Sequence, residues 1–273
     1  MEDVLRDFSR PAIINAIEQN LVEHTRTYGN SSLAEMREEK GLISFITEFP
    51  IATLNIIIGT RIEKQDINNV IKKTLSPYIA RKTPVVWWVG PKLQAQDLGQ
   101  YLENHGFKKY LDMPGMALDI NKLEDKKIKP INFQVKFVSD EAYLKTWAET
   151  QDRGFGGTGE TIQYYFDFEK TIGTSPNSPW QRYIGFLDDE PICVAALFLA
   201  SGVAAIVNVA TVSKYRERGF ATLITTHLLR KAQNRGYQIG VLKATPMGQR
   251  IYRKMGFKEY CSIGMYIWQP ETQ

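Results

Sequence analysis

A glycine-containing turn in the second half of the chain has the residue types of an anion-binding site. It follows an apolar, β-branched run from Ile206 to Val212, which predicts a buried strand. From Phe220 onward the apolar residues recur at helical spacing, so the strand pattern changes to a helix pattern at Gly219. The first N–H groups of a helix lack partners within the helix and attract negative charge. We therefore expect this turn to hold a phosphate group, with Arg216 and Arg218 adding positive charge.

Two short motifs in this half carry a resemblance to a known family. The segment Arg216-Glu-Arg-Gly-Phe-Ala221 fits the pattern Arg/Gln-x-x-Gly-x-Gly/Ala, which resembles the acetyl-CoA loop of the Gcn5-related N-acetyltransferases (GNAT). About thirty residues later, Ile251-Tyr-Arg-Lys-Met-Gly-Phe257 matches the family's common ending, Leu-Tyr-x-Lys-x-Gly-Phe. The chain departs from the family at Ser213, Glu217 and Thr245, where Pro, Gly and Asn are frequent. None of these departures removes a backbone donor from the turn.

The resemblance implies acetyl-CoA as the co-substrate. Its diphosphate would rest on the main chain of the turn, and the preceding strand would line the slot for the pantetheine arm and polarise the acetyl carbonyl. The side chain of Asn208 would hydrogen-bond the substrate. The cofactor-binding residues implied in this way are Val209, Ala210, Thr211, Arg216, Glu217, Arg218, Gly219, Phe220, Ala221, Thr222 and Thr245.

Acetyl transfer to an amine also needs a proton for the departing thiolate, because the parent thiol has a pKa of about 8.5. Tyr252 matches the family tyrosine that stands beside the sulfur, so the resemblance makes it the candidate general acid. The alternative, that Tyr252 is only a core aromatic on a helix face, stays open. No base stands out. Glu160, Asp167 and Glu169 lie on the segment that borders the acceptor pocket in this family, and a chain of water molecules is the alternative.

A five-residue motif repeats between the halves of the chain. Gly106-Phe-Lys-Lys-Tyr110 returns as Gly256-Phe-Lys-Glu-Tyr260, and Asn55 occupies an apolar setting like that of Asn208. The first half lacks the basic glycine turn, and Leu102 stands where Tyr252 stands. We therefore predict two domains: a degenerate GNAT-like domain at residues 1–130 and a catalytic GNAT domain at residues 131–273, connected by the charged stretch 112–136.

The predicted fold class is α/β (α+β), with two GNAT-like lobes, each a mixed, mostly antiparallel sheet flanked by helices. Short links at Asp188–Pro191 and Ser201-Gly202 predict hairpins in the second lobe. Trp87 and Trp88 are expected in a sheet core, since no basic residues interleave with them. The glycine-rich stretch 153–160 predicts a mobile loop over a substrate pocket, because no Lys-Ser/Thr follows it as in a nucleotide loop.

Composition narrows the function classes. Thirty-four Lys and Arg against thirty Asp and Glu leave a net charge of +4, too small to indicate nucleic acid or membrane as a partner. Cys193 and Cys261 have no Cys or His at metal-ligand spacing, so we expect buried thiols and no metal site. Without a signal pattern or a run of about 20 apolar residues, the chain is expected to be a soluble cytoplasmic monomer or homodimer.

The main hypothesis from the sequence is an acetyl-CoA-dependent N-acetyltransferase that moves the acetyl group directly to an amine of a small molecule or peptide. Two alternatives stay open: a non-catalytic acyl-CoA-binding sensor or scaffold, and a transferase that uses a bulkier acyl donor. Thiol release with a panel of amines tests the first alternative, and the mass of the adduct tests the second. The acceptor itself leaves no readable pattern in one sequence.

Overall fold

The computed structural model describes residues 4–59, 62, 64–91, 97–124 and 132–271. Its helices are α1 (Arg10–Gly29), α2 (Ile67–Arg81), α3 (Leu98–Asn104), α4 (Glu141–Phe155), α5 (Ile162–Ile172), α6 (Phe220–Gln233) and α7 (Pro246–Lys254). Its strands are β1 (Glu35–Glu39), β2 (Leu42–Ile46), β3 (Ile56–Gly59), β4 (Val85–Val89), β5 (Lys108–Asp119), β6 (Phe133–Phe137), β7 (Trp180–Leu187), β8 (Glu190–Ala200), β9 (Val203–Thr211), β10 (Ile239–Lys243) and β11 (Lys258–Trp268).

The chain divides into two compact units. Unit 1 comprises residues 1–20 and 116–259, and unit 2 comprises residues 21–115 and 260–273. The expectation of a connecting segment at 112–136 was wrong at both ends, because Lys108–Asp119 forms β5 and Phe133–Phe137 forms β6. The Lys-rich centre of that stretch, 126–130, lies outside the described residues. Residues 60, 61 and 63 also lie outside them, and they belong to the segment of the first half that corresponds to the basic turn. Within the described residues, no helix is both long and apolar enough to cross a bilayer.

Unit 1 is a sheet with helices on both faces. The order is β10-β9-β8-β7-β6, with the end of β5 beside β10. The pairs from β6 to β9 are antiparallel, and β9 pairs with β10 in parallel. Because strand side chains alternate between faces, Cys193 and Leu197 pack in the core that contains α6, whereas Val194 packs with α4 on the opposite face.

The strands of unit 2 are also mixed in direction, and helices of its own flank them. Strands β1, β2 and β3 are antiparallel neighbours, β3 pairs with β4 in parallel, and β4 pairs antiparallel with β11. Trp87 is fully buried and Trp88 is 8% exposed, so their predicted place in a sheet core is confirmed. Each unit has mixed, mostly antiparallel strands flanked by helices, so the predicted fold class is confirmed.

The repeated Gly-Phe motif ends a helix in the same way in both units. In unit 2, Phe107 N donates to Leu102 O at 3.1 Å after Gly106 at φ +86°. In unit 1, Phe257 N donates to Tyr252 O at 3.0 Å after Gly256 at φ +96°. A left-handed residue that closes the last helical turn in this way strongly favours glycine. The sequence repeat therefore reflects a repeated structural element.

Candidate active site

Strand β9 bends just before the basic turn. Asn208 has φ +52°, a left-handed conformation inside a strand, and the register against β8 shifts between Val194 and Ala196. Ala196 faces Val207 and Val194 faces Ala210, so β9 has one residue more than β8 in this interval. Such a bulge interrupts the ladder and turns the following peptide groups to a new direction. Asparagine tolerates this conformation better than other residues with a Cβ.

The parallel pairing of β9 with β10 covers only the first part of β9. Ala204 pairs with Gly240 and Ala205 pairs with Val241. Among the described residues, the bulged end of β9 from Asn208 to Thr211 has no such partner on β10. The backbone groups on the β10 side of the end of β9 are therefore available to a ligand.

The predicted anion-binding turn follows β9 directly. A single 3-10 turn at Ser213–Tyr215 leads to Gly219, which has φ +87° and forms the N-cap of α6. In the part of the chain that the structure describes, no side chain caps this helix. Because the first helical bond runs from Leu223 N to Gly219 O at 3.1 Å, the N–H groups of Phe220, Ala221 and Thr222 come before it and are available to a ligand. The start of α6 therefore has the donor arrangement of a phosphate site.

The basic residues of the turn have different surroundings. The guanidinium of Arg216 donates to Thr211 O at 3.2 Å and to Gly154 O at 2.9 Å, so Arg216 links the end of β9 to the end of α4. Arg218 is exposed, with its guanidinium carbon 5.4 Å from the ring centroid of Tyr215 and 5.2 Å from that of Phe220. Arg218 is thus the cation of the turn that faces solvent. Arg216 instead holds the turn against the ends of β9 and α4.

Tyr252 lies on α7, which begins as its sequence predicts. Thr245 Oγ1 accepts the Gly248 N–H at 3.2 Å, and Pro246 occupies the first turn. The Tyr252 ring packs edge-on against Phe257 with centroids 5.7 Å apart, in the same hydrophobic cluster as Phe220. Burial raises the pKa of Tyr252 well above its ordinary value of 10.0, so its phenol is protonated at neutral pH.

Helix α4 ends against the bulged end of β9. A Cβ added at Gly154 would lie 2.7 Å from Ala210 Cβ and 3.3 Å from Thr211 N, so only glycine allows this close approach. The glycine-rich loop that follows is anchored by Asp152, whose carboxylate accepts Gly159 N at 3.0 Å and the hydroxyl of Thr161 at 2.9 Å. These bonds hold the base of the loop that the sequence predicted to be mobile.

The three carboxylates considered as bases have different surroundings. Glu160 is exposed, and Asp167 accepts the side-chain amide of Gln163 at 2.8 Å. Glu169 is buried in an ion pair with Arg182 at 2.5 Å and accepts the indole N–H of Trp180 at 2.9 Å. Glu169 is therefore occupied in holding α5 to β7.

Two polar residues near these strands were missed by the sequence analysis. Lys243 is the last residue of β10, half-buried, and burial lowers its pKa from the ordinary 10.5 to about 7. Gln151 lies on α4 and is 5% exposed, and none of the described residues donates a hydrogen bond to its side-chain oxygen. Strand and helix periodicity could have placed both side chains on inner faces, but the degree of burial depends on tertiary packing.

Both cysteines are buried and reduced, as predicted. Burial raises the pKa of the Cys193 thiol to about 12, so the reactive thiolate is absent at neutral pH.

Comparison with known proteins places this geometry in a family. Residues 137–260 match the family model described as acetyltransferase (GNAT) domain. No curated protein sequence matches the chain. A solved GCN5-related N-acetyltransferase from Kribbella flavida is similar with a TM-score of 0.70 at 14% identity, over 98% of each chain. Another from Sphaerobacter thermophilus has a TM-score of 0.62 at 12% identity, over 96% of this chain and 94% of that one.

A tandem GNAT protein from the clavulanic acid biosynthesis pathway has a TM-score of 0.60 at 8% identity, over 99% of this chain and 98% of that one. At such identities the likeness concerns the fold, and it extends over both units. Residues 137–260 therefore match a GNAT domain, and the chain has the fold of tandem GNAT structures.

Proposed function

We propose that this protein transfers an acetyl group from acetyl-CoA directly to an amine of a small molecule or peptide, at a site formed by β9, α6 and α7. The observation that carries the proposal is the start of α6 on Gly219, without a side-chain cap, directly after a strand whose end is bulged and unpaired with β10. A fold of the GNAT type and this donor arrangement together support acyl-CoA as the ligand.

The turn and the end of β9 would bind the co-substrate through their main chains. The amides of residues 218–222 would hold the diphosphate, with the Arg218 cation nearby in solvent and Arg216 and Glu217 shaping the turn. The backbone of Val209 and Thr211 would line the pantetheine slot, with Thr245 at its rim and Asn208 facing the substrate. An anionic ligand suits this site because the first N–H groups of α6 carry partial positive charge.

The bulge in β9 and Tyr252 would supply the chemistry. A backbone N–H at Ala210 or Thr211, turned by the bulge, would stabilise negative charge on the acetyl oxygen. Tyr252 would hold its proton at neutral pH, as a phenol does, and would give that proton to the departing sulfur. When bound, acetyl-CoA supplies the activated acetyl group.

Acetyl-CoA binding to wild type and to Gly219→Glu, measured by calorimetry and thermal shift, tests this proposal. A glutamate at this N-cap would bring bulk and negative charge to the phosphate position, so we expect binding to weaken at least 100-fold. Gly236→Glu is the matched control, because Gly236 has φ +89° beyond the other end of α6 and open space around its Cα. Equal strain of about 1–2 kcal/mol is expected in both variants, and only Gly219→Glu should lose binding. Equal affinity in all three proteins would contradict the proposed site.

A further inference from the structure

Helix α6 lies obliquely across the sheet of unit 1, so its two ends lie over different strands. In its C-terminal half, Leu229 lies against β10, since a Cβ added at Gly240 would be 2.5 Å from Leu229 Cδ2. At its first residue, the ring of Phe220 packs against that of Phe133 on β6, with centroids 5.2 Å apart. Strands β10 and β6 are the two ends of the order β10-β9-β8-β7-β6. The start of α6 is therefore directed toward the β6 side of the sheet, and its other end lies over β10.

Two aromatic rings hold the side chain of Arg218 on this β6 side. Its guanidinium carbon is 5.2 Å from the ring centroid of Phe220 and 5.4 Å from that of Tyr215. The two rings meet edge-on with centroids 6.2 Å apart, and the Tyr215 hydroxyl donates to Glu190 Oε2 at 2.5 Å. A guanidinium is attracted to the negative face of an aromatic ring. The Arg218 cation is thus positioned by the protein itself, before a ligand binds.

The other two cations of the turn are engaged by protein groups. Lys214 Nζ lies 2.8 Å from Glu190 Oε1, and this contact raises the pKa of Lys214 and lowers that of Glu190. The Arg216 guanidinium donates to two backbone carbonyls. Among the described residues, no carboxylate forms an ion pair with Arg218. Arg218 is therefore the cation of the turn whose N–H donors are available to an anion.

Acetyl-CoA has its charged groups in a fixed order along its length. The thioester and the pantetheine arm are uncharged, the diphosphate follows, and the adenosine with its 3′-phosphate forms the other end. Under the proposed function, the arm would occupy the opening between β9 and β10, and the diphosphate would rest on the start of α6. The nucleotide end would then extend away from β10, toward the side on which Arg218 is held. Its 3′-phosphate is a monoester with a second pKa of about 6, so it carries nearly two negative charges at neutral pH.

We propose that Arg218 recognises the 3′-phosphate on the ribose of the co-substrate, so that the protein selects acetyl-CoA over acyl donors that lack this phosphate. This inference rests on the proposed function. The planar guanidinium offers two parallel N–H donors to one phosphate group. Because the rings of Tyr215 and Phe220 already restrict the Arg218 side chain, less of its freedom is lost on binding. Arg218 is thus a specificity determinant for the donor, separate from the main-chain amides that would hold the diphosphate.

Binding calorimetry of the full chain with CoA and with 3′-dephospho-CoA tests this assignment. The variant is Arg218→Gln, and the matched control is Lys214→Gln, which removes another exposed cation of the same turn. We expect wild type to bind CoA about tenfold more tightly than 3′-dephospho-CoA, because a charge-assisted phosphate contact is strong but this one is partly screened by solvent. Arg218→Gln should bind both ligands with the affinity that wild type has for 3′-dephospho-CoA. Lys214→Gln should keep the preference for CoA.

Two further measurements separate a guanidinium held by aromatic rings from a mobile surface charge. Tyr215→Leu removes one of the rings and the bond to Glu190 but keeps the Arg218 charge, so the preference for CoA should fall to about threefold. The preference should also decline in wild type as salt is added and stay constant in Arg218→Gln, because salt screens an exposed charge pair. Thermal shift checks that each variant is folded.

Several results would overturn the assignment while the cofactor site stands. One is equal affinity of wild type for the two ligands. Another is an Arg218→Gln variant that loses the same factor of affinity for both, since Arg218 would then contact the diphosphate. A preference that Lys214→Gln lowers as much as Arg218→Gln shows an effect of the total charge, and a preference that Tyr215→Leu leaves unchanged shows that the ring does not position the cation. If wild type binds neither ligand, the proposed function is refuted, and the role of Arg218 with it.

Discussion

The two parallel strand pairs of this protein, β9–β10 in unit 1 and β3–β4 in unit 2, differ where a GNAT site would form. In unit 2 the residue after Asn55, Ile56, pairs with Val86, and the ladder continues through Ile58 and Trp88. In unit 1 the residue after Asn208 has no pairing with β10 among the described residues, because that ladder ends at Ala205. Two similar frames thus differ in whether the end of one strand is paired or open.

The two asparagines show how this difference arises. Asn55 is fully buried in an extended conformation, and its amide donates to Phe49 O and Ile51 O at 2.9 Å each. Its Oδ1 accepts from Thr47 N at 2.7 Å and from the Thr47 hydroxyl at 3.1 Å. Asn208 instead adopts φ +52° within a bulge. One asparagine stabilises a turn, whereas the other opens a strand, which is the local change that a binding site requires.

The largest expected effect concerns Tyr252, whose counterpart in unit 2 is the fully buried Leu102. Tyr252→Phe removes the phenol proton and keeps the ring that packs on Phe257. If Tyr252 is the general acid, kcat for acetyl transfer should fall at least 100-fold, while acetyl-CoA affinity and the melting temperature change little. Steady-state thiol release and calorimetry measure these quantities.

Tyr183→Phe is the control for this variant, because Tyr183 lies in the same hydrophobic cluster and its hydroxyl donates to Gln181 at 2.9 Å. We expect Tyr183→Phe to lose some stability and keep its turnover. Turnover of Tyr252→Phe equal to that of wild type would assign Tyr252 to the core alone, like Leu102.

A smaller effect is expected from exchanging the roles of the two asparagines. Asn208→Val places a β-branched residue at φ +52°, which costs about 1–2 kcal/mol and favours closure of the bulge. We expect kcat/KM to fall about tenfold, a change that corresponds to about 1.4 kcal/mol. Asn208→Gly is the matched variant, since glycine adopts this conformation freely and should keep most of the activity.

Asn55→Leu tests the same comparison from unit 2. It removes the hydrogen bonds that Asn55 makes with Thr47, Phe49 O and Ile51 O, so the free energy of unfolding should fall by about 2–4 kcal/mol. Acetyl-CoA affinity should not change. Urea denaturation and calorimetry measure both. Asn208→Val is expected to lower kcat/KM about tenfold. If Asn55→Leu weakened acetyl-CoA binding by a similar factor, the open end of β9 would not be the feature that distinguishes the site in unit 1 from unit 2.

The sequence allowed the frame of the site to be predicted, because its signals are local. The glycine N-cap of α6, the Thr245 cap of α7 and the Gly-Phe helix ends each depend on residues a few positions apart. Strand β1 was missed because Glu35–Glu39 is exposed along its whole length and carries no alternating pattern. Residues 112–119 of β5 were interpreted as part of a linker, because Asp112, Pro114 and Gly115 are residue types that are depleted in strands.

The chemistry within the frame was less accessible to sequence analysis. The positive φ of Asn208 results from the pairing of β9 with β8 and β10, which no neighbouring residue determines. The charge of Arg216 is directed at two backbone carbonyls, one of them 62 positions away in sequence. The burial of the Gln151 side-chain oxygen depends on the packing of α4. Such features arise from tertiary contacts, so a single sequence predicts where a site lies better than it predicts its donors.

The smallest effect is expected from a change at the last residue of β10. This strand and β4 each have five residues, and each follows a helix that ends in a similar way. Tyr237 N donates to Ala232 O in unit 1, as Thr83 N donates to Tyr78 O in unit 2, and each strand begins two residues later. The strands end at Lys243 and Val89, respectively. Replacing Lys243 with Val therefore gives unit 1 the residue type that unit 2 has at this position.

Burial lowers the pKa of Lys243 from 10.5 to about 7, so the folded protein releases this proton at a lower pH than the unfolded chain does. Between these two values the unfolded chain binds more protons, and wild-type stability should rise with pH from about 7 to 10.5. Lys243→Val should lack this rise and should be more stable than wild type near pH 7, with the difference shrinking toward pH 10. Urea midpoints of both proteins at pH 7, 8.5 and 10 measure it, and a difference that does not depend on pH would show that the Lys243 ammonium keeps its ordinary pKa in the folded protein.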